Sequence, residues 1–236
     1  MSGREPGGDP FGHGVQRRVR RSRLLFVTPL VLLGVLSTLL VWETVRANVS
    51  AGTGEAWPWR LQLLDGDVLG SLLAVALGAV LARAQYARST RPHLGSRCVW
   101  SKGLLKGDAT AWRVGLFNGG LHVATVERCD YRVVLAGEEG AADRSWVSAG
   151  EAVRRLTGAG LVLAEDFQFV EFGAGFPLVG GAGYETLLVG AFSLRFVGEV
   201  EELSVRFRVG DVVGDSHERV VDCVRNARAG LHAPLD

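Results

Sequence analysis

The stretch VLGSLLAVALGAVLA, Val68 to Ala82, carries no charge and is followed closely by Arg83, Arg88, Arg91 and Arg97. Fifteen residues of helix rise only about 22 Å, short of the ~30 Å hydrocarbon core of a bilayer. Extension back to Leu61 adds Leu61, Leu63 and Leu64 and leaves Asp65 and Asp67 at headgroup level rather than at the costly midplane. The sequence therefore predicts a membrane-spanning helix over 61–83, with a buried helix of a soluble protein as the competing reading. If it spans, it fixes the compartment of everything after it.

An earlier run, Leu24 to Trp42 (LLFVTPLVLLGVLSTLLVW), is 19 uncharged residues, or about 28 Å of helix, and predicts a first span over 24–42. Met1–Gly14 is rich in Gly and Pro, with Phe11 its one bulky apolar residue. Such a segment cannot bury enough surface to offset the entropy of ordering, so residues 1–23 are expected to be a disordered basic tail. A secretory signal would share the basic start, and Val45-Arg46-Ala47 would serve as its cleavage site. The apolar core is longer than the 7–15 residues such signals use, and a second apolar segment follows. The arginine pairs lack the surrounding residues of a twin-arginine signal.

Basic residues set the orientation. Arg17, Arg18, Arg20, Arg21 and Arg23 precede the first span and Arg83 and Arg88 end the second, against Arg46 and Arg60 in the loop over 43–60. The positive-inside rule places both termini in the cytoplasm and these seven arginines at the inner interface. Trp42, Trp57 and Trp59 fall where an outer aromatic belt sits. The expected location is the bacterial inner (plasma) membrane, with the lipid bilayer as partner. Gly70, Ala74, Gly78 and Ala82 recur every four residues and line one helical face, which allows close backbone approach. The expected partners of that ladder are Gly34 and Thr38 of the first helix, or a second copy of the chain. Pro29 is expected to bend the first helix.

Beyond a linker over 84–98 the character changes. Residues 101–236 hold 14 Lys and Arg against 19 Asp and Glu, a balance of −5, whereas residues 1–100 hold 12 against 6, a balance of +6. A basic membrane end suits an anionic leaflet, and an acidic domain lacks the electrostatic footprint of a nucleic-acid binder. Apolar residues alternate: Trp112, Val114 and Leu116; Tyr131, Val133 and Leu135; Val205, Phe207 and Val209. Further strands are expected within 121–127, 167–172, 186–193 and 218–225. Asn118-Gly119-Gly120 reads as a tight hairpin turn between two of these runs. Ser148 and Glu151 form a capping box ahead of one helix. The expected fold over 99–228 is an all-β sandwich of the Ig-like kind, or a small β-barrel, with 229–236 a tail.

The three cysteines, Cys98, Cys129 and Cys223, are spread widely without a CxxC spacing and are expected to be reduced. Gly173–Gly183 lacks the spacing of a phosphate-binding loop. The densest polar cluster is Asp211, Asp215, His217, Glu218 and Asp222. Gly214-Asp215-Ser216 resembles the nucleophile block of GDSL-type esterases but lies too near the C-terminal end to be followed by an Asp and His pair. His217-Glu218 begins a zinc-protease motif, yet Val221 stands where its second histidine belongs. Asp211, Asp215 and His217 could in principle gather around a metal, while Asp and Gly between strands are also what any turn prefers. The expectation is a turn, with no catalytic, cofactor or metal residue and no enzymatic activity.

Leu116, Asn118, Gly120 and Ala124, followed by an Asp211/Gly214 turn and the His217 to Cys223 strand, resemble the C-terminal Ig-like β domains of small bacterial two-helix membrane proteins. The resemblance implies a membrane-tethered domain and carries over no catalytic residue. The function expected is therefore a cytoplasmic β domain, held at the membrane, that binds a protein partner or a second copy. The alternative, by analogy with the two-helix effectors of nucleotide-signalled anti-phage systems, is a ligand-gated effector whose helices cluster through the Gly70–Ala82 ladder.

Overall fold

The apolar runs become two helices and the alternating runs become strands, in a computed structural model that describes residues 15–20, 23–49, 57–137, 145–181 and 186–231. The chain divides into two units, a helical hairpin over Arg21–Ser89 and a β domain made from residues up to Arg20 and from Thr90 onward.

In the hairpin, α1 (Arg23–Ala47) and α2 (Gly66–Ser89) are both long and apolar enough to cross a membrane. Little of either is buried: Val31, Val35 and Val41 on α1 and Val75, Leu77 and Leu81 on α2 are exposed. The helices meet through leucines, with Leu36, Leu69 and Ala76 buried among Leu33, Leu39, Leu64 and Leu73. On α2 this seam runs 69, 73, 76 and 80, alternating steps of four and three as knobs-into-holes packing requires. The small ladder is not part of it. Gly70, Ala74, Gly78 and Ala82 are all exposed, and a Cβ built at Gly34, Gly70 or Gly78 would meet nothing within 4 Å. The expected ladder contact with Gly34 and Thr38 is thus replaced by a leucine seam, and the Thr38 hydroxyl bonds instead to Gly34 O, 2.9 Å away.

Helix limits also differ from expectation. Residues 61–65 are not helical, because Pro58 and the turn over 57–60 precede them; α2 begins at Gly66 and runs past Arg83 and Arg88 to Ser89. At the loop end, α1 continues beyond Trp42 to Ala47. There Glu43 turns inward, accepts the Leu63 amide at 2.7 Å and pairs with Arg46 Nε at 2.7 Å, tying the end of α1 to the returning chain. Trp42 stacks on Trp59 at 5.4 Å and its Nε1 donates to Leu61 O, while Trp57 is 87% exposed.

The β domain has two antiparallel sheets. One is ordered β1 (Arg17–Arg20), β9 (Ser216–Asp222), β8 (Val200–Gly210), β4 (Ala124–Leu135), β6 (Pro177–Leu178). The other is ordered β2 (Leu94–Ser101), β3 (Ala111–Asn118), β7 (Leu187–Phe192), β5 (Phe167–Phe169). Inward residues of both, among them Val114, Leu116, Tyr131, Val133, Phe207 and Val221, share one apolar core. Among the described residues three short α-helices complete the unit. α3 (Ala149–Gly158) opens with the Ser148 hydroxyl accepting the Glu151 amide, the serine half of the expected capping box, while the Glu151 carboxylate pairs with Arg154. α4 (Leu194–Glu199) is capped by Ser193 and brings Phe196 against Phe167 and Phe192. α5 (Arg225–Leu231) occupies part of the stretch expected to be tail.

Two segments expected to lie outside the domain belong to it. Arg17–Arg20, expected as disordered tail, pairs with β9 in the register Arg17 to Glu218 and Arg18 to His217. Leu94–Cys98, expected as linker, forms most of β2, paired with β3 from Leu94 opposite Asn118 to Ser101 opposite Ala111. Gln16 joins the two segments: its side chain accepts the Leu94 amide at 2.9 Å and donates to Pro92 O at 2.7 Å. The remaining residues expected as tail, 1–14, 21–22 and 232–236, lie outside the described residues, as do 50–56 of the expected loop.

Candidate functional site

Four places in the β domain gather polar side chains, and each can be built from its strands.

The turn between β8 and β9 holds the Asp211, Asp215 and His217 cluster. Gly214 supplies a positive φ of 81°, and one Asp211 oxygen accepts the amides of Val213 and Asp215 at 3.0 and 2.9 Å. The other accepts a hydrogen bond from Nε2 of His217 at 2.9 Å, with both side chains buried. Asp215 faces Arg18 Nη1 at 3.3 Å instead. Ser216 and His217 are consecutive in a strand and point to opposite faces; the Ser216 hydroxyl donates to Glu127 at 2.8 Å. No Ser–His relay forms, and of Asp211, Asp215 and His217 only Asp211 and His217 meet. Among the described residues no group of three or more His, Cys, Asp and Glu side chains is placed to hold a metal ion. What the arrangement does is lock the turn.

The edge beside it is a row of ion pairs. Glu218, 2% exposed, accepts from Arg17 Nη2 at 2.6 Å and Nε at 3.0 Å and from Arg208 at 3.1 Å. Burial opposes its charge, but those two guanidiniums prevail and hold the carboxyl below the usual glutamate range. Farther along the same face Asp130 joins Arg128 and Arg206, Arg132 pairs with Glu202, and the guanidiniums of Arg132 and Arg206 lie over the Trp146 ring. Arg17 and Arg18, expected at lipid headgroups, are thus engaged within the domain by Glu218 and Asp215; Arg20 is exposed on the same strand. Arg21 lies outside the described residues.

Asn118, expected in a hairpin turn, does something else. β3 and β4 lie in different sheets, so the chain between them is a crossover. The buried Asn118 side chain accepts the amides of His93 and Gly120 at 3.1 and 3.0 Å and donates to the carbonyls of His122 and Leu178 at 2.9 and 3.2 Å. It joins the start of β2, the crossover and β6. Gly120 is needed there because a Cβ would come within 2.9 Å of Arg91 O. The Leu-x-Asn-x-Gly spacing was the available signal, and a turn was the wrong meaning for it.

Next to Asn118 lies a groove of about 600 Å³, lined by Arg97 and Val99 of β2, Arg113 and Phe117 of β3, Leu187 of β7 and the β6 region. By register Gly95 faces Phe117, Arg97 faces Gly115 and Val99 faces Arg113, so these side chains share the outer face of their sheet. Sequence patterning gives no warning of it, because β2 (LGSRCVWS) lacks a clear apolar alternation.

The cysteines are buried or half-buried and free. Burial raises the Cys98 thiol to about 11 and the Cys129 thiol to about 12, and pushes Cys223 well above the ordinary value. Compared with known proteins, the chain matches no family model, no curated protein and no solved structure.

Proposed function

We propose that the chain is an integral inner-membrane protein whose helical hairpin spans the bilayer and holds an Ig-like β-sandwich in the cytoplasm as a binding domain. The observation that carries this reading is the way the hairpin is inserted. Two residues separate the end of β1 at Arg20 from the start of α1 at Arg23, β2 begins a few residues after α2 ends at Ser89, and both strands belong to one domain. Whichever compartment holds that domain therefore holds both helix ends, so the chain must cross twice or not at all. The exposed apolar residues of both helices favour crossing, because a soluble hairpin would leave them against water. Arg20, Arg21, Arg23, Arg83, Arg88 and Arg91 at those ends favour the cytoplasm.

Two sheets around one core support the sandwich. β2, eight residues long and paired on one side only among the described strands, offers an edge to which a partner protein could add a strand. Alkaline carbonate washing of membranes tests the anchoring: the full chain stays in the pellet if the hairpin spans, and its release to the supernatant contradicts the reading.

A second reading, a ligand-gated effector that self-associates through its helices, is favoured by the outward ladder. Gly70, Ala74, Gly78 and Ala82 are not used inside the hairpin and leave a shallow stripe for the same helix of another copy. Chemical cross-linking in membranes tests it: wild-type chains form dimers or larger species that Gly78→Leu abolishes, and equal cross-linking of both contradicts it.

A further inference from the structure

We propose that the groove over β2 and β3 binds an anionic amphiphile, a phosphate or carboxylate joined to a compact, flat apolar body. Charge is the first observation. Arg128, Arg132, Arg195, Arg206 and Arg208 of the β domain each pair with a carboxylate. Among the described residues Arg97 and Arg113 pair with none, and no Asp or Glu lines the groove. Arg97 is exposed. Arg113 is half-buried, its Nη2 donates long hydrogen bonds to Thr186 O and Oγ1 at 3.3 and 3.4 Å, and its Nε is buried with no hydrogen-bond partner among the described residues. A buried guanidinium nitrogen left without an acceptor is costly, and an anion in the groove would satisfy it.

Geometry is the second. Arg97 lies opposite Gly115 and Arg113 opposite Val99, which makes the two arginines diagonal neighbours on one face. Diagonal pairs stand about 7–8 Å apart, within reach of a single oxyanion held between two long guanidinium side chains.

Shape is the third. Phe117 packs onto Gly95, where an added Cβ would fall 2.1 Å from the ring, so the ring lies down on the strand instead of standing off it. With Val99, Leu187 and Val179 it forms an apolar wall beside the charged end. About 600 Å³ falls in the range of small-molecule sites, and an apolar wall with a few convergent polar groups is their usual make-up. The groove belongs to the β domain alone, so the inference stands apart from the membrane reading; it would give the ligand-gated reading its ligand and fails separately from it.

Calorimetric titration of the full chain in detergent tests the proposal with three probes: 1-naphthyl phosphate, 1-naphthol and inorganic phosphate. 1-Naphthyl phosphate should bind at least tenfold more tightly than either of the others. Arg97→Gln, at an exposed and unpaired position that folding does not need, should weaken it at least tenfold and leave 1-naphthol unchanged; Arg113→Gln should do the same. Dihexanoyl phosphatidic acid tests the apolar body: weaker binding than 1-naphthyl phosphate supports a compact, flat ligand, and tighter binding overturns it in favour of a lipid. Equal binding of 1-naphthol and its phosphate, an unchanged affinity in Arg97→Gln, or no binding of any probe at millimolar concentration overturns the proposal.

Discussion

Replacing Asn118 with leucine removes four hydrogen bonds at once while nearly preserving side-chain volume. The side chain is 2% exposed, so water cannot stand in for it. Two of its partners are amides, of His93 and Gly120, and each is left without an acceptor. An orphaned buried donor costs about 1–3 kcal/mol. The carbonyls of His122 and Leu178 lose a donor at smaller cost, since unpaired carbonyls are better tolerated. Burying leucine returns part of this, and the net expected loss is about 3 kcal/mol. For a domain of this size that lowers the melting temperature by roughly 6–12 °C. The assay is thermal unfolding of the full chain in detergent, read by near-ultraviolet circular dichroism of Trp100 and Trp112, which pack 5.2 Å apart in the β domain. Asn118→Asp sharpens the test. A carboxylate keeps both amides but confronts both carbonyls; protonation restores one donor. Its folded pKa is therefore raised, so Asn118→Asp approaches wild-type stability below about pH 4 and loses it as pH rises through the raised value. A melting change under 2 °C for Asn118→Leu, or a pH-independent Asn118→Asp, would refute the role of Asn118 as the node between the sheets.

Glu218→Gln should cost about 1–2 kcal/mol at pH 7, less than a fully buried pair because Arg17 is 67% exposed and Arg208 36%. The native carboxyl is held below its usual value; its contribution is present above about pH 4.3 and is lost as pH falls through the lower folded value. Chemical denaturation at pH 7 and in strong acid should show the difference between wild type and variant only at pH 7. In the hairpin, Gly78→Leu should leave helix unfolding in a dodecyl sulfate titration within about 0.5 kcal/mol of wild type, since its Cβ meets open space. Ala76→Phe, at a buried seam position, should destabilise it by about 1–3 kcal/mol; the reverse order would mean the seam is misplaced. Cys98 and Cys129, with thiols raised to about 11 and 12, should resist maleimide at pH 7 in the folded chain and react only on denaturation.

The two apolar helices, the central strands β3, β4, β8 and β9 and the Ser148 cap were legible because each rests on a local rule: length, alternation or cap chemistry. What was not legible depends on partners distant in sequence. β1 reads as an arginine-rich tail, and only Glu218 and Asp215, some 200 residues away in sequence, make it a strand. β2 carries two small residues, Gly95 and Ser96, and an exposed face, so its pattern is weak until β3 is placed beside it. Helix α1 is apolar all round, which hides the seam; a regular small-residue spacing on α2 therefore suggested the wrong face. The Arg97 and Arg113 groove needs the β2 to β3 register, and sequence spacing of 16 residues says nothing of it.

The central claim is that both helix ends and the β domain share the cytoplasm, and labelling of single added cysteines in intact cells tests it most directly. Trp57, 87% exposed at the hairpin's loop end, and Leu121, 79% exposed on the β domain, are the positions to use. The account predicts that a membrane-impermeant maleimide labels Trp57→Cys in intact cells and labels Leu121→Cys only after permeabilisation. Labelling of Leu121→Cys in intact cells would contradict it.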